Sequence, residues 1–177
     1  MNHDSYSNRY IRDILTSHRT IAMVGASPNA LRPSYFAMKY LKAKGFRVLP
    51  VNPGQAGKEI LGQRVVGALA EIDEPVEIVD IFRNSEAAFA ITSEAIAIGA
   101  KVVWMQLGIR NDEAARMAEA AGLKVVMNRC SKMEYGRFSG DLGWAGVNSR
   151  LLSSKRPMLA ATGVQHRVIK PPTFGRV

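Results

Sequence analysis

The chain has one cysteine, Cys130, in 177 residues. A lone thiol excludes an internal disulfide framework and fits a reducing compartment. Long apolar runs are absent as well, since charged residues interrupt each of them well short of the roughly 20 residues that cross a bilayer. The opening segment, with Asn2, His3, Asp4 and Arg9, lacks the apolar centre of a signal peptide. A soluble, cytoplasmic protein is the expectation, with no membrane partner. Acidic residues are absent after Asp141, whereas Lys155, Arg156, Arg167, Lys170 and Arg176 all lie beyond it. Setting those five aside from the 24 basic residues leaves 19 against 15 acidic ones, so most of the +9 net charge belongs to the tail. With Pro157, Pro171, Pro172 and Gly175 and little periodicity, residues 151–177 read as a basic, poorly ordered tail or an arm laid on a partner. A nucleic-acid partner is not favoured, because neither an RNA-type aromatic pair nor a helix-turn-helix pattern accompanies the charge.

What remains is ordinary globular material. Hydrophobic residues make up 47% of the chain and charged ones 22%, which suits one domain over residues 1–150. Tyr10, Ile11, Ile14 and Leu15 fall at helical spacing within a lead-in helix over 6–17, expected to pack on a sheet edge. Five apolar runs follow, over 20–24, 46–51, 76–82, 101–107 and 123–127. Helical segments separate them: one from Ser34, a candidate N-cap after Pro33, to Lys44; one from Asn84 or Ser85 to Gly99; one from Asn111 to Gly122. The stretch over 60–65 reads as a short excursion. Near-continuous apolar strands alternating with helices predict an α/β doubly wound sheet of about five parallel strands, covered on both faces.

In such a sheet ligands bind beyond the carboxyl ends of the strands. The residues placed there are Gly25, Ala26 and Ser27, then Val51, Asn52 and Pro53, then Phe82, Arg83 and Asn84, then Gln106, Leu107 and Gly108, and lastly Asn128, Arg129 and Cys130. Paired carboxylates are missing from this set, and His3, His18 and His166 lie away from it. Neither a catalytic triad nor a histidine metal site is assembled, so a binding pocket is favoured over a reaction centre. The dinucleotide fingerprint is missing too. One glycine replaces G-x-G-x-x-G, and Asn52-Pro53 stands where a ribose-binding acid would be. The loop from Gly25 to Pro33 is long and polar, and it leads into a helix whose N-terminus favours an anion. Ser27, Arg32 and Ser34 are the candidate donors.

The segments Val24-Gly25-Ala26-Ser27, Arg32-Pro33-Ser34-Tyr35, Val51-Asn52-Pro53, Asp80-Ile81-Phe82-Arg83, Trp104-Met105-Gln106-Leu107-Gly108 and Asn128-Arg129-Cys130 together resemble the stand-alone CoA-binding proteins. Their domain is similar to the N-terminal domain of the succinyl-CoA synthetase alpha subunit. The resemblance spans roughly residues 5–150 and implies a Rossmann-like domain that holds coenzyme A or an acyl-CoA. Gly25, Ala26, Ser27, Arg32, Ser34 and Tyr35 would surround the phosphates. Val51, Asn52 and Pro53 would lie near the adenosine, and Phe82, Arg83, Gln106 and Gly108 would line the rest of the groove. Coenzyme A carries a 3′-phosphate where NAD has a ribose hydroxyl, and an acid after the second strand would repel it where Asn52 does not.

A non-catalytic binding or sensor module is the leading reading, with a protein partner or a homo-oligomer compatible with it. The alternatives are an NAD(P)-binding oxidoreductase with a drifted fingerprint and a subunit of an acyl-CoA ligase. The first lacks the acid, and the second lacks a phosphohistidine domain in this sequence. Cys130 has two readings: a redox thiol made reactive by Arg129 and Lys132, or an inert side chain packed beneath the sheet end. Trp104 and Trp144 read as packing residues. Tyr135 and Phe138 either close over the groove or pack.

Overall fold

Five parallel strands in the order β2-β1-β5-β6-β7 carry the structure, a computed structural model that describes residues 1–139. The tail at 151–177, Trp144 and the expected domain limit at 150 lie outside the described residues. In chain order the elements are α1 (Asn8–Ser17), β1 (Thr20–Val24), α2 (Pro33–Ala43), β2 (Arg47–Val51), the hairpin strands β3 (Glu59–Ile60) and β4 (Gln63–Arg64), β5 (Ile78–Ile81), α3 (Ala88–Ala97), β6 (Val102–Met105), α4 (Asp112–Ala120), β7 (Lys124–Val126) and α5 (Ser131–Ser139). From β1 the chain winds one way to β2, and from β5 it winds the other way to β7. The order therefore reverses between β1 and β5, which places the ligand crevice of a doubly wound sheet above their carboxyl ends.

The strands are apolar on both faces because both are covered. Alternate residues supply the two cores. Ala22, Val24, Val79, Ile81, Val103 and Met105 meet Ala88, Ile91 and Ala95 of α3 and Ala114, Ala115 and Ala118 of α4. Small side chains on these two helices let them lie close to the sheet and to each other. On the opposite face Ile21, Met23, Ile78, Trp104 and Val126 meet Ile11, Ile14 and Leu15 of α1 and Ala37, Met38 and Leu41 of α2. Each large side chain buried in this way contributes about 1.5–3 kcal/mol. Trp104 is a packing residue, as expected: it is fully buried, and its Nε1 donates to the Arg129 carbonyl at 2.7 Å.

The β7 margin of the sheet is covered by tyrosine hydroxyls, and the β2 margin is covered at its carboxyl end. At β7 the Tyr10 hydroxyl takes the Val125 N–H and donates to the Val125 carbonyl, both at 3.1 Å, while the Tyr6 hydroxyl accepts from Met127 N at 2.7 Å. Burial pushes the Tyr6 phenol up to about 12, which keeps it in its hydrogen-bonding form across the physiological range. At β2 a single parallel bridge from Val66 occupies the outer edge. Lead-in helix α1 thus sits at the sheet edge that its pattern predicts.

Several boundaries differ from expectation for identifiable reasons. Arg32, not Ser34, is the N-cap of α2, because Pro33 takes the first helical position, where a missing N–H costs nothing. Helix α3 starts at Ala88, since Asn84 Oδ1 accepts from Ala87 N and holds a separate turn ahead of it. Helix α5 carries little amphipathic signal and was not expected. Tertiary contacts hold it: Glu134 is buried and pairs with Arg137 at 2.5 Å, whose guanidinium also reaches Asn8 of α1 at 2.6 Å. Tyr135 packs edge-on against Phe46 and Tyr40, and Phe138 lies under the guanidinium of Arg137.

Candidate functional site

A groove of about 890 Å³ opens above the carboxyl ends of β1 and β5, where the strand order reverses. Gly25 forms its floor. It has φ +90°, its N–H donates to the Val51 carbonyl at 2.8 Å, and a Cβ there would stand 2.7 Å from the Phe82 carbonyl oxygen. Only glycine satisfies both the left-handed backbone and the close approach of β5.

The loop after Gly25 is braced by its own side chains. Ser27 Oγ accepts from Asn29 N at 3.2 Å, and Asn29 Oδ1 accepts from Leu31 N at 2.9 Å. Asn52 ties this loop to the end of β2, since its Nδ2 donates to the Ala26 carbonyl at 2.7 Å and its Oδ1 accepts from Gly54 N at 3.0 Å. Both ends of that amide are therefore committed to protein structure. Asn52→Ala is expected to lower stability by about 1–2 kcal/mol, two ordinary hydrogen bonds at about 0.5–1.5 kcal/mol each. Urea unfolding measures this, and an unchanged midpoint would show that the brace is dispensable.

The walls bring together most of the residues that the strand-end rule selects. Gly25, Ser27, Arg32, Ser34 and Asn52 line one side, and Phe82, Arg83, Gln106 and Cys130 line the other. Ala26 and Val51 do not line it: both are buried in the cores, Val51 because strand alternation turns its side chain inward and Ala26 because the loop after β1 packs it onto the α1–α2 face. Tyr35 packs against the α1–α2 face, Pro53 opens an exposed 3₁₀ turn, and Gly108 is held in a positive-φ turn by Asn128 Oδ1 at 2.8 Å. Sequence reasoning gave no groove role to Leu31, Phe36, Ile109, Lys132 and Met133, which also line it. The exposure of Leu31 at 85% and Phe36 at 51% beside a helix start is the structural sign of them.

Charge in the groove has one sign. Arg32, Arg83 and Lys132 line it, no Asp or Glu does, and none of the three has an ion-pair partner among the described residues. The N-terminus of α2 adds its positive end without a side-chain cap. Such a surface raises the local concentration of a polyanion. By contrast, the depression of about 510 Å³ along β2 is lined by Glu71, Asp73 and Glu74 as well as Arg47 and Arg64. It offers no comparable field.

Beneath the groove lies one buried carboxyl. Asp80 of β5 is fully buried; Gln106 Nε2 donates to its Oδ1 at 2.7 Å and Ser131 Oγ to its Oδ2 at 2.8 Å. Desolvation raises its pKa to about 7 despite those two donors. The sequence pattern by itself assigns Asp80 no role. An acid inside an otherwise apolar strand was the available signal. Cys130 lines the groove, but its thiol pKa is raised and not lowered. Burial dominates, and the pull of Lys132 is minor. Of the two readings of Cys130, this balance favours the inert, packed side chain.

A model of the CoA binding domain matches residues 19–136. The uncharacterized protein YneT of Bacillus subtilis is 36% identical over 129 residues, covering 73% of this chain and 94% of that protein. A solved hypothetical protein from Pyrococcus horikoshii is 39% identical with a TM-score of 0.74, covering 79% of this chain and 97% of its own. The cell-free protein ID.343 from Thermus thermophilus is 37% identical with a TM-score of 0.71, covering 75% of this chain and 98% of its own.

Proposed function

This chain belongs to the CoA binding domain family, and from that premise we propose that it binds coenzyme A or an acyl-CoA in the groove above β1 and β5, as a binding or sensor module without chemistry of its own. The observation that carries the reading is the set of three cations, Arg32, Arg83 and Lys132, in a groove that no carboxylate lines among the described residues. Coenzyme A presents a pyrophosphate and a 3′-phosphate, and these need positive charge that is not already spent on protein acids. In this reading the pyrophosphate lies at the α2 N-terminus, with Gly25 admitting its close approach and Ser27, Arg32 and Ser34 donating to it. The adenosine lies toward Asn52. The pantetheine arm runs past Phe82 and Gln106 toward Cys130 and Met133.

Asn52 contributes by what it is not. A carboxylate at that position would face the 3′-phosphate at short range, and it would also lose the donor that holds Ala26. Among the described residues the lining supplies no histidine and no carboxylate pair to move protons on a bound thioester, which favours holding over transforming. Titration calorimetry with CoA, acetyl-CoA, NAD and NADP tests this reading. Binding of CoA or acetyl-CoA that weakens with salt, without binding of NAD, is the expected result. Binding of NAD with CoA ignored would overturn it.

A further inference from the structure

Gln106 is almost wholly enclosed, with 5% of its surface accessible, yet it lines the groove. Its amide nitrogen has two hydrogens, and both are taken inside the protein: one by Asp80 Oδ1 at 2.7 Å, the other by Ser131 Oγ at 2.8 Å. Ser131 in turn donates its hydroxyl hydrogen to Asp80 Oδ2 at 2.8 Å, which closes a three-membered ring of hydrogen bonds. The amide oxygen takes no part in this ring. Two of its three hydrogen bonds end on the Asp80 carboxylate and the third on Ser131 Oγ, and a carboxylate accepts without donating.

We propose that Asp80 is a positioning residue that fixes the Gln106 amide with its oxygen toward the groove, making this point of the site an acceptor selective for an N–H donor of the ligand. Resting on the coenzyme A reading, that donor is an amide N–H of the pantetheine arm. NAD and free nucleotides have no such arm. A ligand that supplies the donor gains a hydrogen bond at the groove surface, and one that cannot leaves this acceptor to water.

The device depends on the ionisation state of Asp80. Protonation adds a donor to a ring already made of donors, and half a turn of the Gln106 amide supplies the missing acceptor while presenting N–H to the groove. The groups facing Asp80 leave its charge uncompensated by any cation. Met23 and Trp104 flank it on the neighbouring strands, α2 turns Ser34, Ala37 and Met38 to this face, and α5 offers Ser131. Cys130 is the titratable neighbour that feels its charge, and Lys132 acts on Cys130 from the same turn.

The test compares coenzyme A with 3′-phosphoadenosine 5′-diphosphate, which has the nucleotide end and no pantetheine. Asp80→Asn is expected to weaken coenzyme A at pH 8 about tenfold or more while changing the fragment less than twofold. In the unsubstituted chain the ratio of the two affinities should fall as pH drops from 8 to 6, and in Asp80→Asn it should be flat. Equal weakening of both ligands would reduce Asp80 to a fold-supporting residue and overturn the proposal. A chain that binds neither ligand would instead refute the coenzyme A reading. The free protein gives a separate measure: the Gln106 side-chain N–H₂ signals in NMR should be protected from exchange and should shift with the Asp80 titration. Exchange at the rate of an exposed glutamine would end the idea whether or not a ligand binds.

Discussion

Gly25→Ala is expected to be strongly destabilising for a change of one methyl group. The φ of +90° alone costs a non-glycine residue on the order of 1–3 kcal/mol. The added Cβ would also stand 2.7 Å from the Phe82 carbonyl oxygen, a backbone atom that moves only if β5 moves. Gly99→Ala is the natural control, because its φ is +72° and nothing lies within 4 Å of the added atom. Urea unfolding of the two variants should show Gly25→Ala losing clearly more stability than Gly99→Ala, with coenzyme A binding lost in the first and kept in the second. Equal losses would mean that β1 and β5 can separate there, and that the close approach is not what the position demands.

Reversing the groove's charge should act on binding and spare the fold. Arg32 and Arg83 are exposed and have no carboxylate partner among the described residues, so substitution disturbs no ion pair. Arg83→Glu is expected to weaken coenzyme A roughly 10- to 100-fold at low salt, the scale of a lost charge-assisted contact to phosphate. Arg32→Glu should do the same. Thermal midpoints should stay close to that of the unsubstituted chain, as is usual for surface changes. The loss should shrink as salt rises, since screening weakens attraction and repulsion alike. Coenzyme A affinity that stays within threefold of its starting value in both variants would remove the phosphates from this end of the groove.

Much of the architecture was legible because the strands are covered on both sides. Ile21 to Val24, Ile78 to Ile81 and Val102 to Met105 are apolar at every position but Asp80, and the glycines after the helices mark where the chain turns back. The strand-end rule then located most of the groove from sequence position alone. What it could not see depends on three-dimensional convergence. Leu31 and Phe36 sit on the loop and helix beside the phosphate-binding segment and carry no chemistry in themselves. Asn52 lines the groove, and only the structure shows that its amide also braces Ala26 and Gly54. Helix α5 was missed because its buried Glu134 and exposed-looking Arg137 balance only when α1 lies beside them. Asp80 is the instructive case: its meaning depends on Gln106 and Ser131, which are 26 and 51 residues away in the chain.

The tyrosine hydroxyls along β7 and the Val66 bridge along β2 have a consequence for how copies of this domain can meet. An open strand is a template on which another chain can lengthen the sheet, and proteins that leave one bare risk indefinite growth. Here the outward amides of Val125 and Met127 are already matched by Tyr10 and Tyr6, whose rings stack 5.8 Å apart. A second molecule arriving at that flank finds aromatic faces and no backbone to read. Lengthening the sheet at that edge would first require Tyr10 and Tyr6 to give up these hydrogen bonds.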